Sequence, residues 1–222
     1  MTFDDFVINT GYAVLVLNTL VFIISYNKKH KALKYFIMYL LLCLFIQFLS
    51  NILNSLNNYN LFLSHYFFIG QFIFLSLFFS SLTDFKKYKR LHIFLTFIIA
   101  TSFIIYLYNF PNNLNRWSVL EIAITSIALL LYSFFFFLKK IEDAKDKRYI
   151  YFNSGFFVYT LCSTLIFTLG NIGSRELKFY VWQFNTILYL VFQLMIFVEW
   201  YKNFRKPITK KIYQIFTSKN TD

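Results

Sequence analysis

Nineteen of the 22 Lys and Arg residues in this chain stand in four clusters: Lys28–Lys34, Lys86–Arg90, Lys139–Arg148 and the tail from Lys202 onward. Between and before the clusters lie seven apolar runs, each of roughly 20 residues, enough as helix to cross a hydrocarbon layer of about 30 Å. The other three basic residues, Arg116, Arg175 and Lys178, sit in the alternate loops. Loops that stay in the cytoplasm carry the excess of Lys and Arg. The asymmetry therefore predicts an all-α polytopic bundle of seven transmembrane helices, with the N-terminus outside and the C-terminus cytoplasmic.

The predicted spans are Phe6–Tyr26, Tyr35–Leu56, Leu61–Thr83, Leu91–Phe110, Trp117–Leu138, Tyr149–Gly170 and Tyr180–Tyr201. Residues 1–201 thus form one membrane domain, and 202–222 a basic cytoplasmic tail. The tail places Ile208, Ile212, Ile215 and Phe216 at helical spacing among lysines, a pattern suited to a helix lying on the inner leaflet. The polar link Asn57–Asn60 is short enough to force the second and third spans into an antiparallel hairpin. Asp4 and Asp5 stand where a cleavable signal would carry positive charge, so the first run reads as a span.

Charge and composition exclude several classes. The net charge of +12 arises from clusters abutting apolar runs, with only 14% of residues charged. Anionic lipid headgroups are the expected partner, and direct nucleic-acid binding is not expected. Cys43 and Cys162 lie inside spans and read as small packing residues. No span holds a lysine for a Schiff base. His65 is the one intramembrane imidazole, because His30 and His92 lie at basic boundaries, so a metal-dependent hydrolase lacks ligands. Glu121 and Glu199 belong near opposite faces and cannot act as an acid–base pair. Neither a catalytic function nor a cofactor or metal is expected.

Polar residues inside spans face the bundle interior, because lipid offers them no partner. Sorted by depth, Asn51, Asn54, His65, Glu121, Asn171, Gln183 and Asn185 fall in the outer half. Their convergence would give an outward-facing polar pocket; the alternative is ordinary helix-to-helix hydrogen bonding. Glu199 reads as a local ion pair with Lys202. On the inner face, Lys139, Lys140, Glu142, Asp143, Asp146 and Arg148 form the most mixed loop, a candidate partner-docking segment whose plainer reading is a solvated positive-inside loop.

The stretches NKKHKALKYFIMYLLLCLFIQFLSNILN (Asn27–Asn54) and NLFLSHYFFIGQFIFLSLFFSSL (Asn60–Leu82) resemble small multi-spanning proteins of Bacteroidetes-type genomes. Two groups share that resemblance: sensory membrane modules near two-component systems, and membrane accessory proteins of type VI CRISPR loci. It implies a bacterial cytoplasmic membrane location and carries no functional residue over. The expected function is a non-enzymatic integral membrane protein that senses an extracytoplasmic cue or modulates a cytoplasmic partner through its basic inner face. The alternative is an oligomeric pore or transporter-like protein, associated with antiviral defence under the second resemblance. A cytoplasmic protein and a second copy of the chain are the macromolecular partners this architecture admits.

The orientation is directly testable. Green fluorescent protein fused after Asp222 should fluoresce, and alkaline phosphatase at the same position should be inactive; the opposite pair of results would invert the topology.

Overall fold

The computed structural model describes residues 3–26, 30–82, 89–115, 118–142, 146–172 and 175–205. It is all-α. Seven helices among the described residues are long and apolar enough to cross a membrane, which makes this a multi-pass membrane protein. They are α1 (Phe3–Ile24), α2 (Lys31–Ser55), α3 (Phe62–Leu82), α4 (Lys89–Asn109), α5 (Val119–Glu142), α6 (Ile150–Ile172) and α7 (Arg175–Glu199). A 3-10 helix at Pro111–Asn115 follows α4, and a π-helical turn at Trp200–Phe204 follows α7. Several helices run beyond their apolar runs at the basic end. α2 begins a turn early at Lys31 and α5 continues a turn late to Glu142, because long basic side chains extend toward water from a helix that continues past hydrocarbon. The tail, including its apolar stripe, lies outside the described residues.

Local chemistry explains the hairpin between α2 and α3. Asn57 takes the left-handed conformation (φ 56°) just past the C-cap Leu56. Its N–H bonds to Asn54 O at 3.0 Å and Asn58 N–H bonds to Leu53 O at 2.9 Å. These two bonds are the Schellman pattern, with Asn in the place glycine usually takes.

Six helices close a ring in the order α1, α2, α3, α5, α6, α7 and back to α1. α4 stands outside it, packed on α3 through Ile69, Ala100 and Leu107. It meets α5 where the His92 and Tyr132 rings lie 4.5 Å apart. Further along, an apolar groove of about 440 Å³ opens between α4 and α5, lined by Ile98, Phe103, Tyr106 and Leu120 among others.

Each seam of the ring carries a side-chain hydrogen bond. Gln47 Nε2 donates to Tyr12 Oη at 2.6 Å between α2 and α1. Asn60 Nδ2, just ahead of α3, donates to Ser50 Oγ of α2 at 2.9 Å. His65 Nδ1 and Glu121 Oε2 are 2.6 Å apart between α3 and α5. Ser133 Oγ donates to Asn153 Oδ1 at 2.8 Å, and Asn153 Nδ2 returns a bond to Ser133 O at 3.1 Å, joining α5 to α6. Asn18 Nδ2 donates to Gln193 O at 2.8 Å and Gln193 Oε1 at 3.0 Å, joining α1 to α7.

The sixth seam departs from the sequence-based expectation. Glu199 does not spend its charge on Lys202. Its carboxylate, fully buried, accepts N–H bonds from Tyr149 (2.6 Å), Tyr151 (3.0 Å) and Phe152 (3.4 Å), and one from Asn203 Nδ2 (2.8 Å). It therefore caps α6 from the end of α7. The reason is physical: the first N–H groups of a helix lack internal partners and carry the positive end of its dipole, so a buried carboxylate finds its best acceptor geometry there. Lys202 is exposed. The cap also holds Tyr149 in a left-handed conformation (φ 68°) that a bulky residue rarely adopts. Close approach of α6 and α7 depends on Gly155, where a Cβ would fall 2.8 Å from Met195 Cβ.

At the basic end the ring is filled by aromatic side chains. Phe22, Phe36, Phe78, Phe152 and Phe192 are almost wholly buried, and Phe36 and Phe152 meet edge to face at 4.6 Å. Tyr149 packs on Phe78 at 5.0 Å and on Phe204 at 5.2 Å. The opposite end of the ring is hollow.

Glu199→Leu should cost roughly 2–4 kcal/mol, because three buried amides lose their acceptor. Lys202→Ala should change stability by less than about 0.5 kcal/mol. Thermal unfolding in detergent measures both, and equal losses would reinstate the ion pair with Lys202.

Candidate functional site: a cavity inside the helix ring

The hollow is a cavity of about 330 Å³, and all six ring helices contribute to its wall. Its mouth lies near Asn60 and Leu61 in the link before α3. Its floor reaches Cys43, Gln71 and Tyr159, near the middle of their helices. The wall has two characters. Phe67, Phe68, Phe167 and Trp182 form a continuous aromatic strip running from α3 to α6 and α7, with successive ring centroids 5.5, 5.7 and 5.5 Å apart. The remainder mixes aliphatic side chains such as Ile8, Ile46 and Leu63 with hydroxyls and amides: Tyr12 and Gln47 from α1 and α2, Ser126 from α5, Thr160 and Ser163 from α6, Asn185 and Tyr189 from α7. Among the described residues no charged side chain lines it.

Of the seven residues that depth alone selected, the structure places Asn185 on the wall, and the Asn171 side chain lies outside the described residues. His65 and Glu121 pair with each other, at 2% and 1% exposure, in the seam between α3 and α5 rather than on the cavity surface. Asn51 and Asn54 are exposed at the end of α2 and Gln183 is half-buried on α7; none of the three lines the cavity. Asn51 still receives a bond from Gln47 Nε2 at 3.4 Å. The wall residues missed by sequence reasoning are mostly serines, threonines and tyrosines, which are common in spans. Spacing on one helix does not reveal that five other helices aim similar groups at one point.

The His65–Glu121 pair overrides a local signal. Ser118-Val119-Leu120-Glu121 is a capping box, in which the Glu would reach back to the N-cap amide. Ser118 does cap α5, accepting Glu121 N–H at 3.3 Å. The Glu121 carboxylate turns instead to His65, and its Oε1 is buried without a partner. A carboxylate in that position gains more from an imidazole in a dry seam than from an amide at the bundle rim.

At the basic end, Asp146 is clamped within its own loop. Arg148 Nε and Nη2 each donate to it at 2.9 Å, and Lys140 Nζ lies 3.4 Å from Oδ2 while donating to the Asp146 backbone carbonyl. The Arg148 hydrogen bonds hold the Asp146 carboxyl well below its ordinary range. A depressed carboxylate contributes order at neutral pH and loses that contribution only as pH falls through its lowered value. Lys139 Nζ donates to Leu82 O at 3.0 Å, tying α5 to the end of α3. Glu142 is exposed, and Asp143 lies outside the described residues. Among the described residues no three His, Cys, Asp or Glu side chains group as metal ligands.

The chain matches no family model, no curated protein and no solved structure. Its function is therefore argued from its own geometry.

Because the His65–Glu121 pair is buried, removing either partner takes a close polar contact out of a dry seam. Glu121→Leu and His65→Leu should each cost roughly 3 kcal/mol, and the double variant distinctly less than their sum. Thermal unfolding of the four proteins measures this, and additive losses would show that the two groups do not stabilise each other.

Proposed function

We propose that this protein is a receptor of the bacterial cytoplasmic membrane, oriented with its N-terminus outside, whose cavity takes a small molecule from the extracytoplasmic side. The observation that carries the reading is the ring itself: hollow and lined by uncharged polar groups at one end, filled by large aromatic rings at the basic end. A cavity with a few placed polar groups on an aromatic wall is the usual form of a small-molecule site. With the basic clusters inward, that cavity opens outward.

Binding would be passed inward along α6 and α7. Both helices line the cavity, through Thr160 and Ser163 on one and Asn185 and Tyr189 on the other. Glu199 locks their far ends together beside the clamped Lys140–Asp146–Arg148 loop. A change in their separation would therefore reach the basic face, where a cytoplasmic protein partner could read it. Transport is the second reading. It would need the packed Phe36, Phe78, Phe152 and Phe192 to part, and so ranks below a receptor. A membrane accessory role in antiviral defence is compatible with either.

Cysteine labelling tests the outward cavity. In a Cys43→Ala, Cys162→Ala background, Ser64→Cys and Thr186→Cys should react with a membrane-impermeant methanethiosulfonate on intact spheroplasts. Leu165→Cys, 59% exposed on the outer wall of α6 and so facing lipid, should not. Reaction of the wall positions only in inverted vesicles would reverse the orientation; no reaction in either would remove the open cavity.

A further inference from the structure

Resting on the proposal that the cavity binds a small molecule, the chemistry of its wall narrows what that molecule is. Three observations constrain it. Among the described residues the wall holds no charge, so a charged ligand would exchange water for dipoles alone, at a large desolvation cost. The Phe67–Phe68–Phe167–Trp182 strip offers a continuous apolar surface. The polar groups on the rest of the wall present unspent donors and an unspent acceptor.

The donors follow from hydrogen-bond directions. Tyr12 accepts its bond from the Gln47 amide, so its own O–H proton is free to donate. Asn185 Oδ1 is buried without a partner, and the Tyr159 hydroxyl stands on the same wall. A neutral phenol there carries a proton it can donate. Asn185, itself on the cavity wall, keeps a carbonyl oxygen that needs a donor. A buried polar atom left unpaired costs about 1–3 kcal/mol, which a bound donor would recover.

We infer that the ligand is an uncharged molecule with an apolar body and one hydroxyl or carboxamide group, held between Tyr12, Tyr159 and Asn185 with its body on the aromatic strip. Only a group that both donates and accepts satisfies the free phenol protons and the Asn185 carbonyl together. A hydrocarbon satisfies neither, and a carboxylate or ammonium satisfies one side only while paying for its charge.

The test uses 1-adamantanol, adamantane and 1-adamantanecarboxylate, which share one apolar cage and differ in the polar group. Tritiated 1-adamantanol should bind saturably to the full chain in nanodiscs of phosphatidylethanolamine and phosphatidylglycerol, over a blank of empty discs. Adamantane and the carboxylate should compete at least about tenfold more weakly, and Tyr12→Phe and Asn185→Leu should each weaken 1-adamantanol by roughly tenfold. Circular dichroism and unfolding temperature show that the variants are folded; a variant that fails to fold is replaced by Tyr159→Phe, for which the same loss is expected. No saturable binding, or equal competition by all three compounds, would overturn the ligand class. If the Ser64 and Thr186 positions are labelled from outside in that case, the receptor cavity stands and only its chemistry has been misread. If they are not labelled, both fall.

Discussion

In hydrocarbon a polar side chain has no partner except another helix, and that constraint organises this molecule. Six helices form the ring, and each of its six seams is crossed by at least one hydrogen bond from a side chain. α4, the one helix outside the ring, has hydroxyls that turn back on its own carbonyls: Thr96 bonds His92 O and Ser102 bonds Ile98 O. Helices whose polar side chains reach a neighbour close the ring, whereas α4 is held by packing on α3 and by the His92–Tyr132 ring contact with α5. Such bonds contribute only about 0.6–2 kcal/mol apiece. Their weight lies in register, because each fixes the rotation and height of one helix against the next.

The number and limits of the helices could be read from the chain because length and basic clusters are properties of single segments. Three apolar runs preceded by a basic cluster, and four that end before one, leave little freedom. The ring order could not be read. α4 is as apolar as its neighbours all the way round, so no periodic stripe distinguishes an inward helix from an outward one. Glu199 illustrates the same loss of information at one residue. Beside Lys202 in sequence, it reads as an ion pair; its real partners, the amides of Tyr149, Tyr151 and Phe152, lie about fifty positions away. The depth argument brought His65 and Glu121 to the same level, and they do meet. It could not tell that their meeting closes a seam, nor that the wall beside them is built from Ser, Thr and Tyr.

Tyr149 gathers several of these effects. Its backbone is strained, its ring is packed among Phe36, Phe78 and Phe204, and its amide is held by Glu199. A left-handed bulky residue persists only where its surroundings over-determine it. Here they do so at the junction between the Arg148–Asp146 loop and the first turn of α6, where the basic face joins a cavity-lining helix.

The contrast between the two ends of the ring follows from side-chain size. Toward the basic end, facing positions hold Phe22, Phe36, Phe78, Phe79, Phe136, Phe152, Phe156 and Phe192, whose rings interlock across the axis. Toward the other end the same helices present Ser50, Ser64, Ser126, Thr160 and Ser163, which are too short to meet. Interiors pack to high density wherever side chains can reach one another. A hollow this size persists because its wall is polar enough to hold water or a ligand and too rigidly seamed to collapse. The hydrogen bonds that close the ring are thus also what keep it open at one end.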